Sequence, residues 1–254
     1  MLLRDRNHPS IILWSIGNEV RERDARSSGD ETARQLAALV RRLDPTRPVT
    51  AALCASAEGK DWSVMDTIFA ALDVCGYNYE WKRCQPDHAR WPQRIIVGAE
   101  SKPREVFDSW MQVLDHEYVI GDFVWTALDY LGEAGVGRVH FDPQKPFMGD
   151  YPWHTANCGD LDLCGFKRPQ SYYRDMVWGD GAQVFIAVHH PVPGAQTPII
   201  SEWGWPEVSP TWTWPKQEGQ PVRVDIYSTC DKVELFLNGR SLGSRSAGRS
   251  ERFT

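Results

Sequence analysis

The feature that most constrains this chain is a repeated alternation of short apolar runs with helically spaced stretches. Ile11-Ile-Leu-Trp14, bounded by Pro9 and Gly17, suits a strand buried on both faces, as in a parallel sheet. A charged loop follows. Residues 32–43 then carry Ala33, Leu36, Ala37, Leu39, Val40 and Leu43 at helical spacing, with Asp30 or Thr32 as cap and Pro45 as stop. The pattern continues with a strand over 48–53, a helix over 63–71 and a strand over 72–77. A short helix at 88–91, a strand at 94–97, an amphipathic helix at 105–116 and a strand at 118–125 come next. A Gly- and Pro-rich loop spans 131–169, and 170–178 reads as a final helix. Strands alternating with helices imply βα units and a parallel sheet. About five units are present where a closed (β/α)₈ barrel has eight. The expectation is an α/β fold, either an open sheet or the second part of a barrel.

After Gly179 the texture changes. Residues 182–188 and 222–227 alternate apolar and polar, and 232–237 runs into Asn238-Gly239, a strong hairpin signal because both residues tolerate positive φ. This is a β-sandwich pattern that stops after too few strands to close. The expected division is 1–179 for the α/β part and 180–254 for a linker and incomplete sandwich.

A net charge of -6 argues against a nucleic-acid partner, which would need clustered Lys and Arg. No apolar segment reaches the roughly 20 residues of a membrane span. Met1-Leu-Leu-Arg-Asp-Arg is no signal peptide, and the compartment stays open between cytoplasm and periplasm. The six Cys are scattered, with no CxxC and no zinc spacing, and read as small hydrophobes rather than a disulfide framework. His189-His190 reads as structural or solvated. No cofactor and no metal are expected. The unusual count is 12 Trp, whose flat faces suit both core packing and sugar rings.

Two carboxylates share one context. Glu19 lies just beyond the first strand run, and Glu100 lies just beyond the strand at 94–97. In barrels, chemistry sits at the C-terminal ends of strands. Two Glu so placed can face one another, one protonated to donate and the other ionised to attack, as glycoside cleavage with retention requires.

The run Arg4-Asp-Arg-Asn-His-Pro-Ser-Ile-Ile-Leu-Trp-Ser-Ile-Gly-Asn-Glu19 resembles the acid/base signature of glycoside hydrolase family 2, the family of β-galactosidases and β-glucuronidases. Ile95-Ile-Val-Gly-Ala-Glu100-Ser, followed by Phe107-Asp-Ser-Trp110, is similar to that family's nucleophile region. Residues 119–133 look like its last barrel strand, and Gly159 to Asp175 like the loop into its final helix. The resemblance implies Glu19 as acid/base, Glu100 as nucleophile and Asn18 as a hydrogen-bond partner of the sugar 2-hydroxyl. It implies Trp125 in the sugar pocket, with Asn78 and Tyr79 as further substrate-binding candidates. A Tyr at the position of Tyr79 bonds the nucleophile carboxylate in related barrels; packing at the barrel mouth is the alternative. Asp160 and Asp162 are expected to be solvated loop charges, with a reach into the pocket as the alternative. Trp203, Trp205, Trp212 and Trp214 are expected to join sandwich to barrel.

The resemblance thus implies a partial TIM barrel, about strands 4–8, followed by part of an immunoglobulin-like domain, in a chain expected to be a fragment with little activity alone. The implied activity is that of a retaining exo-β-glycosidase. β-Galactosidase is favoured because the loop at 161–169 lacks the Asn-x-Lys that contacts a glucuronide carboxylate; β-glucuronidase and β-mannosidase remain alternatives. From another class, a non-catalytic carbohydrate-binding remnant or a structural domain stays open. The expected partner is a carbohydrate substrate, and a homo-oligomer is compatible with the sequence.

Overall fold

The structure, a computed structural model, describes residues 1–20, 29–55, 61–144, 147–149, 151–179, 181, 183–192, 194 and 196–246. The chain divides into two compact units, Met1–Ser101 with Asp108–Phe123, and Lys102–Phe107 with Val124–Thr254.

The first unit holds a short helix α1 (Leu2–Asp5), then β1 (Trp14–Asn18), α2 (Gly29–Leu43), β2 (Val49–Leu53), α3 (Asp66–Phe69), β3 (Val74–Asn78), α4 (Cys84–Arg90), β4 (Ile96–Ser101), α5 (Val106–Asp115) and β5 (Val119–Val124). The strands form a five-stranded sheet in sequence order, β1-β2-β3-β4-β5. The register from β1 to β4 is parallel. This is the α/β, barrel-like architecture that the alternation implies. Helix α2 buries Ala33, Ala37 and Val40, with Asp30 and Glu31 in its first turn and Arg41 and Arg42 in its last, each where the helix dipole favours it.

Strand alternation sorts the sheet into two faces. Ala51 pairs with Cys75 and Leu53 with Tyr77. Leu53, Cys75, Tyr77 and Ile96 pack with Ala33 of α2 and with Ile68 and Phe69 of α3 into the main core. Ala52 and Gly76, also paired, point to the opposite face. Beneath the helix layer lies a buried ionic cluster. Arg94 bonds Asp66 at 2.7 Å and Asp87 at 3.3 Å. Asp87 also accepts from Trp62 Nε1 at 2.5 Å and from the Tyr77 hydroxyl at 2.7 Å.

Several boundaries differ from expectation. The first strand is not at 11–14 but begins at Trp14, whose N–H meets the Pro48 carbonyl at 3.0 Å, while Ile12 is 67% exposed. The strand expected at 94–97 starts at Ile96 and runs to Ser101, so Glu100 is inside β4 rather than beyond it. Arg94 is drawn out of the ladder by its two carboxylates. The helix expected over 63–71 is a 3₁₀ turn, Trp62–Met65, leading into α3, because the Asp61 side chain caps Ser63 N–H.

The second unit contains β6 (Val139–His140), α6 (Pro169–Trp178), β7 (Val184–His189), β8 (Ile199–Ile200), β9 (Val208–Ser209), β10 (Val224–Ser228), β11 (Lys232–Leu237) and β12 (Arg240–Ser246). Strands β10-β7-β9 form one antiparallel sheet, β6 pairs with β8, and β11 pairs with β12. The hairpin turns at Asn238 and Gly239, with φ of 50° and 78°, as the Asn-Gly pair dictates. Helix α6 packs on β7 and β10. Tyr172 stacks on Phe185 at 4.3 Å, and Tyr173 meets Tyr227 at 5.3 Å. That packing makes α6 compact with the strands that follow it, so compactness does not divide the chain at 179.

Candidate active site

The site is assembled in the first unit by two register shifts. On β1, Ser15 pairs with Thr50 but Asn18 pairs with Ala52, so β1 spends one more residue than β2 over that interval. On β4, Gly98 pairs with Tyr77 but Glu100 pairs with Asn78, so Ala99 is the extra residue. A bulge of this kind reverses the face to which later side chains point. Without it, Glu100 would share the helix-packed side of Ile96. With it, Glu100 stands level with Asn78, on the face away from the core. The same shift brings Asn18 level with Ala52.

The residue after each of two strand-ending Asn turns the chain through the left-handed region. Glu19 has φ 47° and Tyr79 has φ 63°. Each keeps its N–H in the ladder, Glu19 to the Ala52 carbonyl at 2.9 Å and Tyr79 to the Glu100 carbonyl at 2.7 Å. Non-glycine residues are held there only where the surroundings enforce it.

The side chains converge. Asn78 Nδ2 donates to Asn18 Oδ1 at 3.1 Å and to Glu19 Oε1 at 3.0 Å. The Tyr79 hydroxyl donates to Glu100 Oε2 at 2.5 Å. Asn78 is fully buried, Glu19, Tyr79 and Glu100 are half-buried, and Asn18 is exposed. Burial pushes the Glu100 carboxyl above its ordinary value. The Tyr79 hydroxyl opposes that rise, the Glu19 charge adds to it, and donation from Asn78 and Asn18 opposes it again. A carboxylate held by the Tyr79 hydroxyl, with a second carboxyl held by the adjacent Asn78, is equipped for acid-assisted displacement.

Five of the sequence-expected residues, Asn18, Glu19, Asn78, Tyr79 and Glu100, thus come together. Trp125 belongs to the second unit, where it packs with Val136, Ala156, Cys158 and Trp203, and its Nε1 donates to the Tyr130 hydroxyl at 3.3 Å. Asp160 is not a solvated loop charge. It is buried and bonds Arg174 at 2.5 Å, because the loop folds onto α6. Asp162 instead closes its own loop, accepting the N–H groups of Cys164 and Phe166 at 2.8 and 2.9 Å. Trp205 packs between Tyr173 of α6 and Tyr227 of β10. His189 Nε2 lies 2.9 Å from buried Asp225, a structural role. Asp122 escaped the sequence reading. It is buried on β5 and accepts from the hydroxyl of Ser101, the residue after Glu100, at 2.8 Å. An Asp inside the apolar strand Val119–Val124 was the available signal. Among the described residues, no group of His, Cys, Asp or Glu could hold a metal ion, and no helix is long and apolar enough to cross a membrane.

A family model described as glycosyl hydrolases family 2, TIM barrel domain, matches residues 1–139, and one described as a domain of unknown function (DUF4982) matches 219–254. A β-galactosidase of Bacteroides ovatus, BoGH2A, is 26% identical over 95% of this chain and 32% of its own length. A putative β-glucuronidase of Formosa agariphila is 25% identical over 97% of this chain and 25% of its own. The crystal structure of a glycosyl hydrolase family 2 member from Bacteroides cellulosilyticus is 42% identical, with a TM-score of 0.85 over 96% of this chain and 31% of that one. The chain spans about a third or less of the length of these relatives.

Proposed function

We propose, from the premise that the chain belongs to glycosyl hydrolase family 2, that Glu19 and Glu100 are the acid/base and the nucleophile of a retaining exo-β-glycosidase. The observation that carries this reading is the Asn78 amide touching Glu19 while Tyr79, its neighbour, holds Glu100. Glu19 protonates the glycosidic oxygen as Glu100 attacks the anomeric carbon, which releases the alcohol and leaves a glycosyl ester on Glu100. Water, deprotonated by Glu19, then displaces Glu100 and frees the sugar with its configuration retained. Tyr79 stabilises the ionised nucleophile, and Asn18 donates toward the sugar 2-hydroxyl.

The substrate class we favour is a β-galactoside. A glucuronide carboxylate needs a free cation, and the loop at 161–169 offers only Lys167 and Arg168. Lys167 is ion-paired with Asp175 and lies over the Tyr172 ring, and Arg168 is bonded to buried Asp129 at 3.1 Å. β-Glucuronidase is the second reading, because the Formosa relative carries that name. We assign 1–179 to the barrel part and 180–254 to a linker and immunoglobulin-like strands. A carbohydrate substrate, with no nucleic-acid or membrane partner, completes the proposal.

The test is trapping. The protein, alone and within a full-length relative's architecture, is incubated with a 2-deoxy-2-fluoro-β-galactosyl fluoride and digested, and the labelled peptide is sequenced. The label is expected on Glu100. A label on another residue rejects the nucleophile assignment, and labelling by the glucuronyl analogue alone rejects the neutral sugar.

A further inference from the structure

We infer that Asn78 is not a sugar-binding residue but a positioning residue, whose amide sets the orientation of both Glu19 and Asn18 and so couples the two carboxylates. The inference rests on the reading of Glu19 and Glu100 as the reacting pair.

Asn78 is 0% exposed, so its side chain has no open surface for a sugar hydroxyl. Its donor end is engaged, with Nδ2 within 3.1 Å of Asn18 Oδ1 and 3.0 Å of Glu19 Oε1. It also stands level with Glu100 in the register of β3 and β4, where its amide opposes the rise of that carboxyl. One amide therefore addresses three groups, drawn from the ends of β1 and β4. A primary amide has one donor end and one acceptor end, fixed 120° apart in a plane. Because Asn78 claims the acceptor end of Asn18, the Asn18 NH₂ faces the other way, and it too opposes the rise of the Glu100 carboxyl. The exposed Asn18 amide is thus presented donor-first by the bond it accepts from Asn78.

The acceptor end of Asn78 tells the same story. Its Oδ1 is buried with no hydrogen-bond partner among the described residues. Burying an unsatisfied acceptor costs stability. A leucine, nearly the same shape, would avoid that cost and fill the same space. An amide kept at this price to the fold is kept for what its donor end does.

The test follows the Glu100 carboxyl by ¹³C NMR titration in the intact 254-residue chain, beside Asn78→Leu, so that turnover is not needed. Asn78→Leu is expected to fold with at least wild-type thermal stability. The Glu100 midpoint should move upward, because donors to its ionised form are lost. The Asn18 side-chain amide resonance should shift while the backbone amides of β3 keep their protection from hydrogen exchange. If Asn78→Leu fails to fold, Asn78→Ala serves the same comparison. An unmoved Glu100 midpoint with an unchanged Asn18 amide overturns the inference, as does loss of fold in both variants, which would make Asn78 a structural residue. Failure of the catalytic reading would register separately, as a trapping label away from Glu100.

Discussion

Tyr79 is tied to Glu100 twice, hydroxyl to Oε2 at 2.5 Å and backbone N–H to the Glu100 carbonyl at 2.7 Å. The second bond fixes where the first can form. Because Tyr79 turns through positive φ directly after β3, its ring is carried across to β4 by the backbone itself rather than by packing.

Tyr79→Phe removes the hydroxyl and keeps the turn. Burial and the Glu19 charge then act on Glu100 with less opposition, so its carboxyl rises further. The acid limb of the pH–rate profile is expected to shift toward higher pH. Hydrogen bonds to charged groups are worth about 1.5–3 kcal/mol, which corresponds to a loss of about ten- to a hundredfold in kcat/KM. An acid limb that stays in place would remove Tyr79 from the description of the nucleophile.

Glu100→Gln should stabilise the fold at neutral pH. The Glu100 carboxyl is raised in the folded state, so the folded chain holds that proton more tightly than the unfolded one. The resulting stability is present at acid pH and lost as pH rises through the folded-state value. Gln resembles the protonated form at every pH. Differential scanning calorimetry should therefore give a Tm advantage for Glu100→Gln of a few degrees at neutral pH that closes in mild acid. An advantage independent of pH would point to packing instead.

Arg94→Ala strikes the ionic cluster under the helices. Arg94 is 8% exposed and is the buried cation that pairs with both Asp66 and Asp87, which the exposed Arg90 also reaches. Removing it leaves Asp66 and Asp87 with the exposed Arg90 as their cation, at a cost of about 1–3 kcal/mol for the lost buried charge-assisted bonds. Urea unfolding of the variant should show a midpoint lowered accordingly, and a change near zero would mean that water already reaches the cluster.

Gly76→Ala tests the closeness of β2 and β3. A Cβ at position 76 would sit 2.6 Å from the Ala51 carbonyl oxygen, which is backbone and cannot rotate away. Overpacking of this kind costs about 1–3 kcal/mol. Since Asn78 lies two residues on, the variant should also disturb the Glu100 titration, whereas Gly165→Ala, with open space around its Cβ position, should not.

Much of the fold was legible because parallel strands buried on both faces write themselves as apolar runs. Val74–Asn78, buried at every position, is the clearest case. The hairpin at Asn238-Gly239 was legible because its backbone angles admit few residues. Glu19 and Glu100 stood out through the motifs around them. The strand starts did not, since Trp14 and Ile96 enter the sheet only where a neighbouring carbonyl, of Pro48 or Tyr118, is waiting. Asp160 was misread because its partner Arg174 comes fourteen positions later and meets it only in the folded chain. The donor role of Asn78 was hidden for the same reason, as its partners are 59 and 60 residues away.

The one-residue excess at Ala99 gives the site an arithmetic of odd and even. Point changes at the site alter what a side chain is, but shortening β4 by Ala99 would change which side of the sheet hears it. Glu100 would keep its identity and its neighbours in sequence, yet be turned to the side of Ile96, which packs under the helices with Ile68 and Phe69. Deletions and insertions of single residues, more than substitutions, are therefore the edits against which this pair of carboxylates has no tolerance, and a two-residue deletion should be gentler than a one-residue deletion.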